Sequence, residues 1–465
     1  MPNSNGHPWE RSADALRGVV RGELIFSGDP GFDKARSLWN AMHDRRPGLI
    51  VRCAGADDVV AAIDFARTQN ISVAVRSGGH NVAGTGGCDG GLMLDLSRMK
   101  LISVDAQQRL ARAEPGLTWG EFDRETQMFG LATTGGICSQ TGIGGVTLGG
   151  GFGWLMRKHG LALDNVVSME VVTADGKLRK ASASENADLF FGMRGSQSNL
   201  GVATAFEYRL HSVGPTVLAG MVLHPLERGG EVLRFYRDYT GGAPDEVSAW
   251  AALMTTPDGH RMVAILVCCV SEPLTGERLL QPLRTFGSPL ADMVQAMPYV
   301  KAQSLIDEAF PSGRFNYWKS SLLNSLDDYA IDALVNGFEG AESPYSSVLI
   351  EHLGGAVSRV SGAEAAFPHR TAAYDVVIMP MWSDPAESPQ HMQWADDLWQ
   401  KVQPSSTGGV YVNYLSNEGE DRIRAAYGAN YERLAALKNE YDPANLFCWN
   451  QNIRPSASGR TQAAV

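Results

Sequence analysis

Gly135-Gly136-Ile137-Cys138-Ser139-Gln140-Thr141-Gly142-Ile143-Gly144-Gly145-Val146-Thr147-Leu148-Gly149-Gly150-Gly151-Phe152-Gly153 is the stretch that decides the fold. Glycine tolerates positive φ and lets backbone approach a ligand closely. Consecutive backbone N–H groups in such loops form concave anion sites. A shorter stretch of the same kind comes earlier: Arg76-Ser77-Gly78-Gly79-His80-Asn81-Val82-Ala83-Gly84-Thr85-Gly86-Gly87. Seven of the 51 glycines fall in residues 78–91 and ten in residues 135–160. There is no three-residue period, which excludes collagen. Apolar residues interrupt both stretches, which argues against a flexible linker. Neither contains Gly-x-Gly-x-x-Gly, and no Gly-x-x-x-x-Gly-Lys-(Ser/Thr) occurs, so neither common phosphate fingerprint is present. A Gly-x-Ser-x-Gly nucleophile elbow and a His-Glu-x-x-His zinc motif are likewise absent from the sequence. Each cluster carries one nucleophilic side chain at its centre, His80 and Cys138.

Working outward, residues 57–67 place apolar positions at helical spacing behind an Asp cap and predict a helix. Residues 71–76 then run as a strand into the first cluster. Residues 92–96 and 110–114 read as further strands. Residues 118–129 read as a helix, with Thr118 as cap and Glu121 as its capping-box partner. Beyond the second cluster, residues 166–173 with the turn 174–177 predict a hairpin, and residues 199–210 close the region as a strand. After about residue 212 the glycine clusters stop and mixed strands and helices follow, among them the strands 262–267 and 347–351. A helix over 418–438 and a compact tail from Tyr441 to Pro455 end the chain.

Composition bounds the function. At ~150 residues per domain, 465 residues suggest roughly three domains, and two large ones fit equally well. The net charge of −11 argues against a nucleic-acid binder, which needs a basic face, and against attachment to anionic membranes. Six cysteines with no Cys-x-x-Cys and no zinc spacing indicate neither a disulfide framework nor a metal site. No basic n-region followed by an apolar run opens the chain, and no 18-residue apolar stretch occurs. A soluble cytoplasmic protein is therefore expected. Nothing in the sequence speaks to oligomeric state.

Arg76-Ser77-Gly78-Gly79-His80-Asn81 resembles the FAD loop of the berberine bridge enzyme-like flavoproteins, within the vanillyl-alcohol oxidase superfamily. The second cluster resembles that family's Gly-x-Cys segment and its run of paired glycines. Arg157 to Val167, Asp188 to Gly195 and Asn199-Leu200-Gly201-Val202 match further family motifs. So do Phe367-Pro368-His369-Arg370 and the C-terminal Tyr441 to Ile453. The resemblance covers nearly the whole chain, in order. It implies an α+β protein with a PCMH-type FAD-binding domain over residues 1–212. A substrate domain with an antiparallel β-sheet flanked by helices would cover 213–415. A C-terminal segment, 416–465, would complete the FAD domain.

The same resemblance implies roles. FAD would be held covalently, His80 bonding the flavin 8α carbon and Cys138 forming a thioether at C6. Arg76, Ser77, Gly78, Gly79 and Asn81 would hold the pyrophosphate. Gly142, Gly144 and Gly145 would pass beneath the flavin, Gly201 and Val202 would pack on the adenine side, and Asn450 and Asn452 would close over the cofactor. Thr141 occupies the position associated with oxygen access, and its Val-like size favours an oxidase. A hydroxyl-bearing carbon gives up hydride only if its proton leaves too, which requires a general base. Tyr414, in Tyr411-Val412-Asn413-Tyr414, is the expected base, with a depressed pKa, and Tyr374 is a second pocket candidate. Tyr317, Trp318, Glu351 and His352 are possible pocket linings for which a structural role is the simpler reading. The family's arginine is replaced by Cys448, which is given no role. The expected activity is hydride transfer from a small-molecule alcohol or amine to flavin N5, with O2 reoxidising the flavin to give H2O2. Oxidative cyclisation of natural products and a dehydrogenase with another acceptor are the alternatives. A catalytically silent flavin-binding protein is the rival from another class.

Overall fold

The computed structural model describes residues 9–456. Residues 1–8, on which most of the N-terminal leader reading rests, lie outside the described residues. Three sheets organise the chain. In the first, the strands Glu23–Phe26, Leu49–Arg52, Leu92–Asp95 and Val73–Arg76 lie in that order. The last three are mutually parallel, and Glu23–Phe26 joins antiparallel. Parallel strands need a crossover, and the helix Ala56–Thr68 supplies it. Its buried Val59, Ala62, Ile63 and Ala66 pack on Leu49, Val51, Val73 and Leu94. The position before this helix is Gly55 rather than an aspartate. Asp58 instead accepts from the backbone N–H groups of Arg21, Gly22 and Ala54, which fastens the N-terminal segment to the helix.

The second sheet is antiparallel, with the order Ile102–Asp105, Leu110–Ala113, Val202–Arg209, Val166–Val172, Leu178–Ser182. The helix Trp119–Gln127 beside it starts at the expected capping box: Glu121 N–H donates to Thr118 Oγ1 and Thr118 N–H donates to Glu121 Oε2. The chain leaves this sheet after Arg209 and enters the third at Thr216.

The third sheet has eight strands and is antiparallel throughout. Its main path runs Ala291–Asp292, Thr216–Pro225, Arg261–Cys269, Val247–Thr255, Ser347–His352, Tyr374–Met379, Lys319–Leu323, and Gln295–Pro298 pairs with Thr216–Pro225. Successive side chains of a strand point to opposite faces, and here the two faces meet different partners. Val348, Ile350, Tyr374, Val376 and Ile378 pack against the helices Gly229–Gly241, Pro273–Thr285, Asp328–Phe338 and Ser388–Val402. Leu349, Val377 and Met379 share the other core with Phe152, Trp154, Leu155 and Met156, just after the second glycine cluster. This sheet is therefore buried on both sides, with the glycine-rich segment as its second cover.

The C-terminal part returns to the first two sheets. The helix expected over 418–438 is broken into Glu420–Tyr427 and Tyr431–Tyr441, because Gly428 has φ +45°, which a right-handed helix cannot contain. Beyond it Leu446 and Phe447 are buried in the core of the first sheet, and Val73 N–H donates to Leu446 O at 2.9 Å. Lys438, fully buried, donates to Asp442 Oδ2, Asn199 O and Phe447 O and so pins this tail. The Phe-Pro-His-Arg segment has a structural job: Arg370 forms a two-pronged ion pair with Asp164, at 2.7 and 2.8 Å. Among the described residues no helix is long and apolar enough to cross a membrane.

Candidate active site

The two glycine clusters meet backbone to backbone. A Cβ on Gly78 would lie 2.5 Å from Gly142 N, and a Cβ on Gly142 would fall inside contact distance of Gly78 N and Ser77 Oγ. Glycine is needed at both positions because nothing larger lets the two loops touch. Ser77 Oγ donates to Pro115 O at 2.5 Å, which fixes the first loop. Above the junction opens a cleft of about 1450 Å³, its mouth included. It is walled by both loops, by Leu349 and Met379 of the third sheet, by Tyr411, Asn413 and Tyr414, and by Trp449 and Asn450 of the tail.

His80 and Cys138 both face this cleft. The His80 ring stacks on Trp39, centroids 5.6 Å apart and planes 19° apart. Burial pulls its pKa down to about 4, so it is neutral near pH 7. Burial pushes the Cys138 thiol up to about 12, so it is protonated. Thr141 Oγ1 donates to Cys138 O at 2.7 Å, and Ser139 donates through N and Oγ to the Asp307 carboxylate.

Tyr414 Oη donates to Glu351 Oε1 at 2.9 Å. Glu351 is fully buried and its Oε2 has no partner. Asp375 stands opposite it on the neighbouring strand and accepts from Ser320 Oγ at 2.7 Å. Burial first, and then the charge of Asp375, raise the Glu351 carboxyl well above its ordinary value; burial raises Asp375 as well. Burial, reinforced by Glu351, also raises the Tyr414 phenol. The depressed phenol expected from the sequence is thus not found: burial and the acidic group beside it both favour its protonated form.

The Tyr411-Val412-Asn413-Tyr414 segment is latched to the second cluster. Tyr411 lies flat on Phe152 at 3.9 Å and accepts from Gly151 N–H at 2.7 Å. Asn413 Nδ2 donates to Val146 O and Tyr411 Oη, its side chain occupying the space that Gly149 leaves open.

The structure brings Arg76, Ser77, Gly78, Gly79, His80, Asn81, Cys138, Thr141, Gly142, Gly144, Gly145, Gly201, Val202, Asn450 and Tyr414 to this one cleft. Asn452 is not among its walls. Tyr374 is a correction. Its parity on the strand points it to the helix-covered face, where its hydroxyl and that of Thr240 hydrogen-bond at 2.8 Å. Of the other pocket candidates, Trp318 lines the cleft and Glu351 reaches it through Tyr414. Tyr317 instead donates to Asp396, and His352 sits against Arg157. Trp39, Asp307, Phe310 and Asp375 escape a reading of the sequence. Only Asp375 left a signal, since it shares strand parity with Val377 and Met379.

The FAD binding domain model matches residues 47–182, and the berberine and berberine-like model matches residues 410–454. An FAD-linked oxidoreductase of Dictyostelium discoideum is 33% identical over 421 residues, covering 90% of this chain and 91% of the relative. The (R)-6-hydroxynicotine oxidase of Paenarthrobacter nicotinovorans is 30% identical, covering 94% and 98%. The chain belongs to the berberine bridge enzyme-like family of FAD-linked oxidoreductases. Among solved structures of such enzymes, 6-hydroxy-D-nicotine oxidase from Arthrobacter nicotinovorans superposes with a TM-score of 0.86 at 29% identity, covering 94% of this chain and 98% of that one. The carbohydrate oxidase from Microdochium nivale superposes with 0.85 at 25% identity, covering 96% and 99%.

The cleft of this berberine bridge enzyme-like chain fits FAD on its own geometry. Among the described residues, the backbone N–H groups of Ser77 to Asn81 and of Gly142, Gly144 and Gly145 donate to no protein acceptor. A row of unpaired donors along a cleft wall calls for an anionic partner, and the pyrophosphate is one. A Cβ on Gly145, which lines the cleft, would meet nothing within 4 Å, so the cleft is open at this wall. Asn450 Oδ1 is buried without a partner on the tail side. Arg76 is oriented otherwise than expected: its guanidinium donates to Ala35 O, so it braces the loop from behind.

Proposed function

We propose that this chain is an oxidase holding FAD by two covalent bonds, from His80 to the 8α carbon and from Cys138 to C6. Its substrate would be a small-molecule alcohol, or an amine with a C–H beside nitrogen. The division into an FAD-binding part, 1–212 and 416–465, and a substrate part, 213–415, belongs to the same proposal.

The observation that carries the reading is the Tyr414 hydroxyl donating to Glu351 inside the cleft that His80 and Cys138 line. Bound there, FAD supplies the two-electron acceptor at N5. The chain supplies the proton path. A phenol held above its ordinary pKa does not rest as phenolate. It can take a proton from a substrate hydroxyl only while passing its own to a neighbour, and Glu351 is within hydrogen-bonding distance for that transfer. With the pair's one proton on Asp375, the Glu351 carboxylate is the acceptor, and its raised pKa makes it the stronger base. Asp375 tunes this, because two facing carboxyls in an apolar site favour holding one proton between them.

Trp39, Phe310, Trp318, Leu349 and Met379 give the cleft an apolar wall, which suits a substrate whose body is a ring or hydrocarbon. Thr141, small enough to leave room beside Cys138, supports O2 as the acceptor. The test is turnover on a panel of secondary alcohols, sugars and amines. The reading expects one H2O2 per substrate oxidised, and a Tyr414→Phe variant slower by about 10²–10⁴-fold. Turnover without peroxide would make the chain a dehydrogenase, and full activity in Tyr414→Phe would remove the base.

A further inference from the structure

One segment outside both glycine loops governs the two tether residues. After the short helix Tyr299–Ala302, Gln303 Nε2 donates to Gly136 O. Asp307 then receives Ser139 N–H on Oδ1 at 2.8 Å and Ser139 Oγ–H on Oδ2 at 2.5 Å. Three residues on, Phe310 O accepts from Trp39 Nε1 at 3.0 Å, and Trp39 is the ring on which His80 stacks. Asp307 is therefore held by both carboxylate oxygens against the residue next to Cys138, and its charge joins burial in raising the Cys138 thiol.

We propose that Asp307 is the base for the second flavin attachment: its carboxylate takes the Cys138 thiol proton as the thioether to flavin C6 forms. This rests on the tether reading of the cleft. The nucleophile in such a step is the thiolate, whereas burial holds the Cys138 thiol protonated far above neutral pH. A proton acceptor close to the sulfur is required. His80, pulled down to about 4, is a weak base and is itself committed to the flavin methyl carbon. Glu351 is occupied by Tyr414. Asp307 is the carboxylate bound to the residue next to Cys138, held there by the two Ser139 bonds.

The step balances as follows. The S–H bond breaks and its proton goes to Asp307. An S–C bond forms at flavin C6, and the hydrogen on that carbon leaves as a proton. The electron pair gained by the ring passes to dioxygen, which with two protons becomes H2O2. Thiol, flavin C–H and O2 thus give thioether and H2O2.

The test is peptide mapping after denaturation and iodoacetamide treatment, which reads linkage rather than activity. In the unaltered protein, the His80 and Cys138 peptides should be joined through the flavin. Asp307→Asn retains an oxygen for Ser139 N–H, so the loop stays held while the base is lost. The expected result is a His80 peptide carrying flavin, a Cys138 peptide mostly alkylated, and joined peptide below a tenth of the unaltered level. Asp307→Glu, which restores a carboxylate, should regain it. Joined peptide at the unaltered level in Asp307→Asn overturns the proposal. If that variant takes up no flavin, Asp307→Glu decides: joined peptide supports the base, and a free Cys138 on a flavin-loaded chain counts against it. An alkylated Cys138 in the unaltered protein is a different failure, that of the tether reading itself.

Discussion

Glu351 and Asp375 face each other directly across two neighbouring antiparallel strands, both fully buried, with Tyr414 bonded to one and Ser320 to the other. Burial alone disfavours two charges here. On the proposed reading the pair stands where the Tyr414 proton is received, a use that would offset its cost.

Replacing Glu351 by Gln keeps an oxygen to accept from Tyr414 but removes the proton acceptor. Steady-state kinetics should show kcat lower by about 10²–10⁴-fold, with flavin content unchanged. A Glu351→Gln enzyme at full rate would detach Tyr414 from any relay.

The same pair sets a pH dependence of stability. Both carboxyls hold their protons to higher pH folded than unfolded. Their contribution is complete below the ordinary carboxylate range of ~4 and is lost as pH rises through the raised values. Each proton so linked changes stability by up to about 1.4 kcal/mol per pH unit. Asp375→Asn removes one of the charges. Its melting temperature, measured by calorimetry, should fall less between pH 5 and pH 8 than that of the unaltered protein. Parallel curves would contradict the assignment.

The glycine contacts separate folding from cofactor binding. Gly142→Ala forces the two loops apart and should cost about 1–3 kcal/mol, the usual range for overpacking, together with loss of flavin. Gly145→Ala meets no protein atom and should leave the flavin-free melting temperature within a degree or so while lowering FAD incorporation. Calorimetry and the flavin-to-protein absorbance ratio read the two effects.

Lys438 ties Asp442 and Phe447 of the tail to Asn199 from a fully buried position. Lys438→Met leaves the buried Asp442 with backbone N–H donors but no cation and should destabilise the chain by about 3–5 kcal/mol. Trp449 and Asn450 form a wall of the cleft, so in this variant the flavin should become solvent-exposed at lower denaturant than the global unfolding midpoint. Denaturant melts followed by flavin and tryptophan fluorescence would show the separation, and coincident curves would not.

Much of this was legible in sequence because the governing constraints are local. The capping box at Thr118 and Glu121 needs only three residues of spacing, and the glycine clusters announce themselves by composition. Gly428 breaks the C-terminal helix, and the apolar pattern, which continues on both sides of it, hides the break. Tyr374 and Asp375 are adjacent, so their roles turn on parity, and parity is fixed only once the strand's two covers are known. Asp307 and Trp39 lie far along the chain from Cys138 and His80, and no periodicity connects them. Likewise, the raised phenol of Tyr414 follows from burial beside Glu351, a contact between residues 63 positions apart.

The central claim is that His80 and Cys138 each carry the flavin, and denaturing precipitation tests it most directly. The account predicts a yellow pellet from the unaltered protein and from single His80→Ala and Cys138→Ala variants, and a colourless pellet from the double variant. A colourless pellet from the unaltered protein, or from either single variant that still binds FAD when native, would contradict it.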